Sequence, residues 1–185
     1  AGALAALAHV ASLRWTDNTA YCVLLRIKAS WSQITASAVA VEMTMRAVLA
    51  RGFTVDFSAN NTLSSMAIPP KVGAMRSSMG GSLMGVNGPN ICTTAAMSGQ
   101  TLTANTLGFA VAIWPGIMAT NVTGTAVVQP AGMAGAPITL YECLSPHQHP
   151  VVLGQNEGVL IQPKLAGPIT DGSYAFYVGW EWAEV

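Results

Sequence analysis

The most regular pattern along the chain is a two-residue alternation of apolar and polar positions. Over 23–31, Val23, Leu25, Ile27, Ala29 and Trp31 fall on one side, and Leu24, Arg26, Lys28 and Ser30 on the other. A period of two predicts a half-buried strand, because successive side chains of an extended backbone point to opposite faces. The C-terminal run repeats it, with Tyr174, Phe176, Val178, Trp180 and Trp182 opposed by Ala175, Tyr177, Gly179 and Glu181. Its aromatic and β-branched residues suit a pleated surface. Thr170-Asp-Gly-Ser173 supplies a turn before this run, which is therefore expected to be the return strand of a hairpin.

Between these ends the pattern is shorter and more often interrupted. Val39 to Leu49 alternates without a break, which favours a strand, although an Ala- and Met-rich run of this length also suits a helix. Gly52 to Ser58 alternates again, and further strands are expected over Thr101–Ile113, Gly124–Gln129, Ile138–Cys143 and Gly158–Gln162. Lys71 to Leu83, with Met75 and Met79 four residues apart, predicts a short helix or turn. Proline and glycine punctuate the rest, as in Ile68-Pro-Pro70, Trp114-Pro-Gly116 and Gln129-Pro-Ala-Gly132. Many short strands set off by turn residues, with no fixed-period repeat, predict an all-β single-domain β-sandwich of the jelly-roll kind. The expected body is residues 13–185, preceded by an Ala-rich arm or short helix over residues 1–12.

Composition narrows the function. The chain has 185 residues, 51% hydrophobic and only 9% charged, with eight Lys and Arg against eight Asp and Glu. So apolar a chain can bury enough surface to offset its conformational entropy, which excludes disorder. Eight scattered cations cannot build a basic stripe, so binding to nucleic acid by phosphate neutralisation is not expected. The longest weakly polar stretch, Leu107 to Met118, is broken by Gly108, Pro115 and Gly116 and falls short of the ~20 residues of a spanning helix. No basic region precedes the apolar start, so a signal peptide is not expected either. Cys22, Cys92 and Cys143 are odd in number, lack zinc-ligand spacing and read as buried free thiols.

Candidate chemistry is sparse. His147 and His149 flank Gln148 between Pro146 and Pro150, so two imidazoles share one side of a rigid loop. That pair could ligate a metal in a small hydrolase, but a polar loop at a subunit contact is the preferred reading. Asp17, Asp56 and Asp171 lie beside turn-forming residues, where Asp bonds its own backbone, and no nucleophile elbow or phosphate loop is present. No catalytic residue, cofactor or metal is therefore assigned. Asn60-Asn-Thr62 and Asn121-Val-Thr123 match the glycosylation sequon, a pattern common by chance. Tryptophan is the more informative residue, with Trp15, Trp31, Trp114, Trp180 and Trp182 in a chain of four Phe and four Tyr. Trp180 and Trp182 share a face that would pack on the core of a monomer or form the interface of an oligomer, and low charge favours assembly. Trp15, Trp114, Trp180, Trp182, His147 and His149 are thus the candidate interface residues.

Leu13-Arg-Trp-Thr-Asp17, Arg26-Ile-Lys-Ala-Ser-Trp31, Met75-Arg-Ser-Ser-Met-Gly80, Pro150 to Ile161 and the closing Trp180-Glu-Trp-Ala-Glu-Val185 together resemble segments of small structural proteins of tailed-bacteriophage virions. The resemblance implies a β-sandwich or jelly-roll subunit assembled on a capsid or tail within a bacterial host cytoplasm, with no catalytic residues to carry over. The chain departs from that pattern at Gln162, where a basic residue is expected after Gly158-Val-Leu-Ile161. Three readings follow. The first is a capsid-associated decoration, cement or minor capsid protein that forms a homo-oligomer, such as a trimer, and binds the major capsid protein. The second is a tail or fibre subunit with Trp15 or Trp114 stacked on host glycans, and the third is the metal-dependent enzyme. An uncharged surface avoids repulsion when identical copies crowd together, which favours the first. It also predicts a free monomer of poor solubility.

Overall fold

The structure, a computed structural model, describes residues 7–35, 44–55, 63–65, 90–92, 99–113, 137–144, 148–163 and 173–185. Every regular element among the described residues is a β-strand, and the strands form two antiparallel sheets. Numbered in chain order, the first sheet holds β1 (Ala11–Trp15), β3 (Thr44–Val55), β4 (Leu63–Ser65), β5 (Asn90–Cys92), β6 (Thr101–Ala104), β7 (Ala110–Ile113) and β10 (Glu157–Pro163). Its order is β4-β5-β1-β10-β3-β6, with β7 also on β3. The second sheet holds β2 (Cys22–Thr35), β8 (Ile138–Glu142), β9 (Val151–Leu153) and β11 (Ser173–Glu184). There β2 is central, with β11 along one side and β8 and β9 in line along the other.

One core joins the sheets. Leu13, Trp15, Met45, Ala47, Val159 and Ile161 of the first sheet cluster with Cys22, Leu24, Ile27, Ala29, Leu140, Leu153 and Val178 of the second. Removing such side chains from water is the main favourable term in folding, at about 25 cal/mol per Å² of apolar surface. Where β8 nears the β7 end of the first sheet, Phe109 meets Tyr141 edge-on, with ring centres 5.3 Å apart at 86°. This is the arrangement the ring quadrupoles favour.

The first sheet holds a second apolar cluster on its other face, where Ala50, Phe53 and Leu160 pack with Leu102 and Ala104. Gly158 makes that cluster possible. A Cβ there would lie 2.4 Å from the Leu13 carbonyl oxygen and 2.7 Å from the Phe53 ring. Close approach, not conformational freedom, requires this glycine. Gly52 is the opposite case, with a φ of +58° and open space around it. It sits in a bulge of β3, where partners step from Arg51↔Thr103 to Val55↔Thr101.

That bulge corrects one expectation. The runs ending at Leu49 and starting at Gly52 are one strand, β3, because the left-handed glycine bends the chain without ending it. The strand expected over Thr101–Ile113 is in fact two, β6 and β7, both paired with β3. The excursion between them is pinned by hydrogen bonds from the Asn105 and Phe109 amides to the Leu49 and Ala47 carbonyls. The turn expected before the C-terminal run lies outside the described residues, and the preceding described strand is not its partner. β10 and β11 lie in different sheets, and β11 pairs with β2. Ala11 and Ser12, assigned from sequence to the arm, stand in β1, and the Val10 amide donates to the Ile161 carbonyl at 2.9 Å. The expectations for 39–43, Lys71–Leu83 and Gly124–Gln129 lie outside the described residues.

Candidate interaction surface

The second sheet has one face on the core and one on solvent, and a bulge decides what the solvent face presents. Trp182 pairs with Leu24 and Glu181 with Arg26, so Leu25 is an extra residue on β2. An inserted residue puts two neighbours on the same side and shifts the alternation by one. Cys22 and Leu24 therefore point inward before the bulge, and Ile27 and Ala29 after it. Leu25, 40% exposed, is turned out beside Arg26. The uninterrupted alternation read from the sequence, which set Val23 and Leu25 on the side of Ile27 and Ala29 and Leu24 on the side of Arg26, is corrected at this point. The adjacent pair Leu24-Leu25 within an alternating run is the signal that could have shown it.

Rows of side chains cross the solvent face. In one, Val23 lies between Val152 and Ala183. Val152 is 46% exposed. Beside it Tyr21 and Val185 exchange two backbone hydrogen bonds, of 2.8 and 3.1 Å, and both side chains are exposed. On the other side the Cys143 amide donates to the Leu25 carbonyl at 2.9 Å, which brings exposed Leu144 alongside. Tyr21, Val23, Leu25, Leu144, Val152, Ala183 and Val185 thus form an apolar band at one end of this sheet.

The next row is charged. Arg26 stands between Glu142 on β8 and Glu181 on β11. Its Nε donates to Glu142 Oε1 at 2.6 Å, with a second contact from Nη2, and Nη1 lies 3.3 Å from Glu181. Lys28 Nζ reaches Glu181 Oε1 at 3.8 Å. The hydrogen bond to Glu142 holds the guanidinium above its usual range. Two cations and two anions therefore neutralise each other on this face. Exposed pairs of this kind add little stability, but they order the side chains that border the apolar band. An apolar patch with a polar border is the usual anatomy of a protein contact.

The residues singled out from sequence are placed as follows. Trp15 is 1% exposed, and its indole Nε1 donates to the Ala20 carbonyl at 2.7 Å, so it is core and offers no ring to a surface partner. Its proximity to Asp17 carries the reason. Asp17 Oδ1 accepts from the Thr19 and Ala20 amides at 2.6 and 3.2 Å, folding the turn that turns the Ala20 carbonyl towards the indole. Trp180 and Trp182 are half-buried on the core side of β11. His149 is exposed, and beside it Gln148 Oε1 accepts from the Leu144 amide at 2.9 Å. Trp114 and His147 lie outside the described residues, as do both sequons. Among the described residues no three His, Cys, Asp or Glu groups gather to hold a metal ion. Cys22 is buried as expected, Cys143 is only half-buried, and neither is joined in a disulfide.

Gln162 has a structural part where the virion pattern suggests a basic residue. It is buried opposite Arg46, and its Oε1 accepts from Arg46 Nε at 3.0 Å and Nη2 at 2.8 Å. A cation here would face another cation. Sequence reasoning missed the apolar band because its members come from strands whose pairing is tertiary. A local trace did exist in Val151-Val-Leu153, three apolar residues of which alternation must expose one. No family model, curated protein or solved structure matches this chain.

Proposed function

We propose that the chain is a structural protein of a bacteriophage virion, associated with the capsid as a decoration, cement or minor capsid protein. In this reading its two sheets form a β-sandwich of the jelly-roll kind. The subunit assembles with copies of itself and binds neighbouring virion subunits such as the major capsid protein. The single observation that carries the reading is the solvent face of the second sheet, where an apolar band lies beside a self-neutralised row of charges. A chain with no net charge gains nothing from electrostatic steering, and its contacts must come from apolar area and strand edges. The likeness of Leu13–Asp17, Pro150–Ile161 and Trp180–Val185 to virion proteins adds support of a separate kind. The alternative in which surface tryptophans stack on host glycans loses Trp15 to the core and keeps Trp114.

Mass spectrometry of purified particles, with sedimentation of the isolated chain, tests the proposal. The expected result is a constant copy number per particle and a concentration-dependent oligomer. A chain absent from particles overturns the virion reading.

A further inference from the structure

We infer that the apolar band on the second sheet is where two copies of this chain pair, about a two-fold axis running across the strands at the row of Val152, Val23 and Ala183. The inference rests on the assembly reading above and names its surface and symmetry. The occupant follows from charge. Arg26 and Lys28 are matched on the same face by Glu142 and Glu181, so the described residues of this face present no net charge to a phosphate backbone, an anionic membrane or an acidic or basic protein. A second copy brings an equal apolar band and no net charge of its own.

The placement of charges also selects the axis. β2 is the middle strand of the face, so a two-fold along the strands would set Arg26 on Arg26 and Lys28 on Lys28. A two-fold across the strands at the Val23 row leaves that row on itself. The row of Glu142, Arg26 and Glu181 then lies over the uncharged side chains of Tyr21 and Val185 of the second copy. Among the described residues no like-charged side chains meet, the centre is apolar and the rim is polar, as an isologous contact requires. The two faces pack as aligned sheets about 10 Å apart, with Val152 over its own counterpart.

The test compares sedimentation of the full chain with that of Val152→Glu and Tyr177→Ser. Tyr177 is exposed on the same face but lies opposite Ser30, away from the axis. Val152→Glu should weaken self-association by at least about tenfold, and Tyr177→Ser by less than about threefold. Circular dichroism checks that each variant folds, and Leu25→Asp replaces Val152→Glu should the latter fail. A short bis-maleimide should link Val152→Cys chains to each other in a Cys143→Ser background, with that background alone as the blank. Self-association unchanged by Val152→Glu overturns this surface and leaves the assembly reading standing. A chain that stays monomeric at high concentration overturns both. Loss of particle incorporation without any change in self-association gives the face to a different virion subunit, and overturns the pairing.

Discussion

The two sheets share a core but differ in what their other faces do. In the first sheet, β10 is buried on both sides, with Val159 and Ile161 in the shared core and Leu160 in the second cluster. In the second sheet, β2 and β11 bury one side and give Arg26, Lys28, Tyr177 and Glu181 to solvent. The sequences differ in the same way: Val159-Leu-Ile161 is continuously apolar, whereas Phe176 to Trp182 alternates. The first sheet therefore carries stability. The second, with a face left open, is the place to look for a partner.

Truncating one apolar residue on the second face of each sheet should separate the two most clearly. Leu160 is fully buried and Val152 is half exposed. Leu160→Ala should cost about 2–5 kcal/mol, through lost transfer energy and the cavity left behind. Val152→Ala should stay within about 0.5 kcal/mol, measured by urea unfolding at a concentration where the chain is monomeric. Equal losses at the two positions would show that both faces are structural and would remove the basis for a docking surface.

The same contrast explains what could be read from the sequence. β11 was legible because a strand with one wet face writes its orientation into every second residue. The all-β character followed from that pattern and from the turn residues. β2 was legible as a strand but not in its facing, because Leu25 looks like any other apolar residue until the register with β11 shows it to be extra. Gly52 looks like a turn and is a bulge, since a left-handed glycine serves either purpose. The partner of β11 could not be read at all. Thr170-Asp-Gly-Ser173 indicates a local turn, but the choice between β10 and β2 is made by the packing of two sheets. Trp15 failed as a surface candidate for a related reason. Its exposure depends on strands β2 and β10, more than a hundred residues apart in the chain.

A smaller effect tests the polar border of the buried sheet. Gln162 Oε1 accepts two hydrogen bonds from Arg46 on a neighbouring strand. Gln162→Met removes the acceptor while keeping the shape, and should cost about 1–2 kcal/mol. Gln162→Lys adds a like charge beside the guanidinium and should cost about 1 kcal/mol more, with the excess falling as salt is raised. The checking measurement is urea unfolding of both variants at low and high ionic strength. A salt-independent difference would place the cost in side-chain size instead of charge. The expectation of a basic residue at this position would then lose its electrostatic objection.

The smallest effect concerns the seam between the sheets and is visible only in alkali. Burial, reinforced by the nearby Glu184 carboxylate, pushes the Cys22 thiol up to about 12. In the unfolded chain it titrates near its ordinary value of 9.0. Between those values the unfolded state has released its proton and the folded state still holds it. Stability must therefore fall as pH rises through this window, and this group leaves it unchanged below the window. At roughly 1.4 kcal/mol per pKa unit, the loss near pH 10 is about 1 kcal/mol. Cys22→Ala carries a pH-independent cavity cost but removes the titration, so its stability should be flatter with pH than that of the parent chain. Unfolding midpoints at pH 8, 9 and 10 for the two chains give the comparison. Parallel curves would mean that Cys22 is open to hydroxide and that the seam between the two sheets is looser than its packing implies. In that case Trp180 and Trp182, which share this seam, would also be less firmly held against the core than the solvent-facing row opposite them requires.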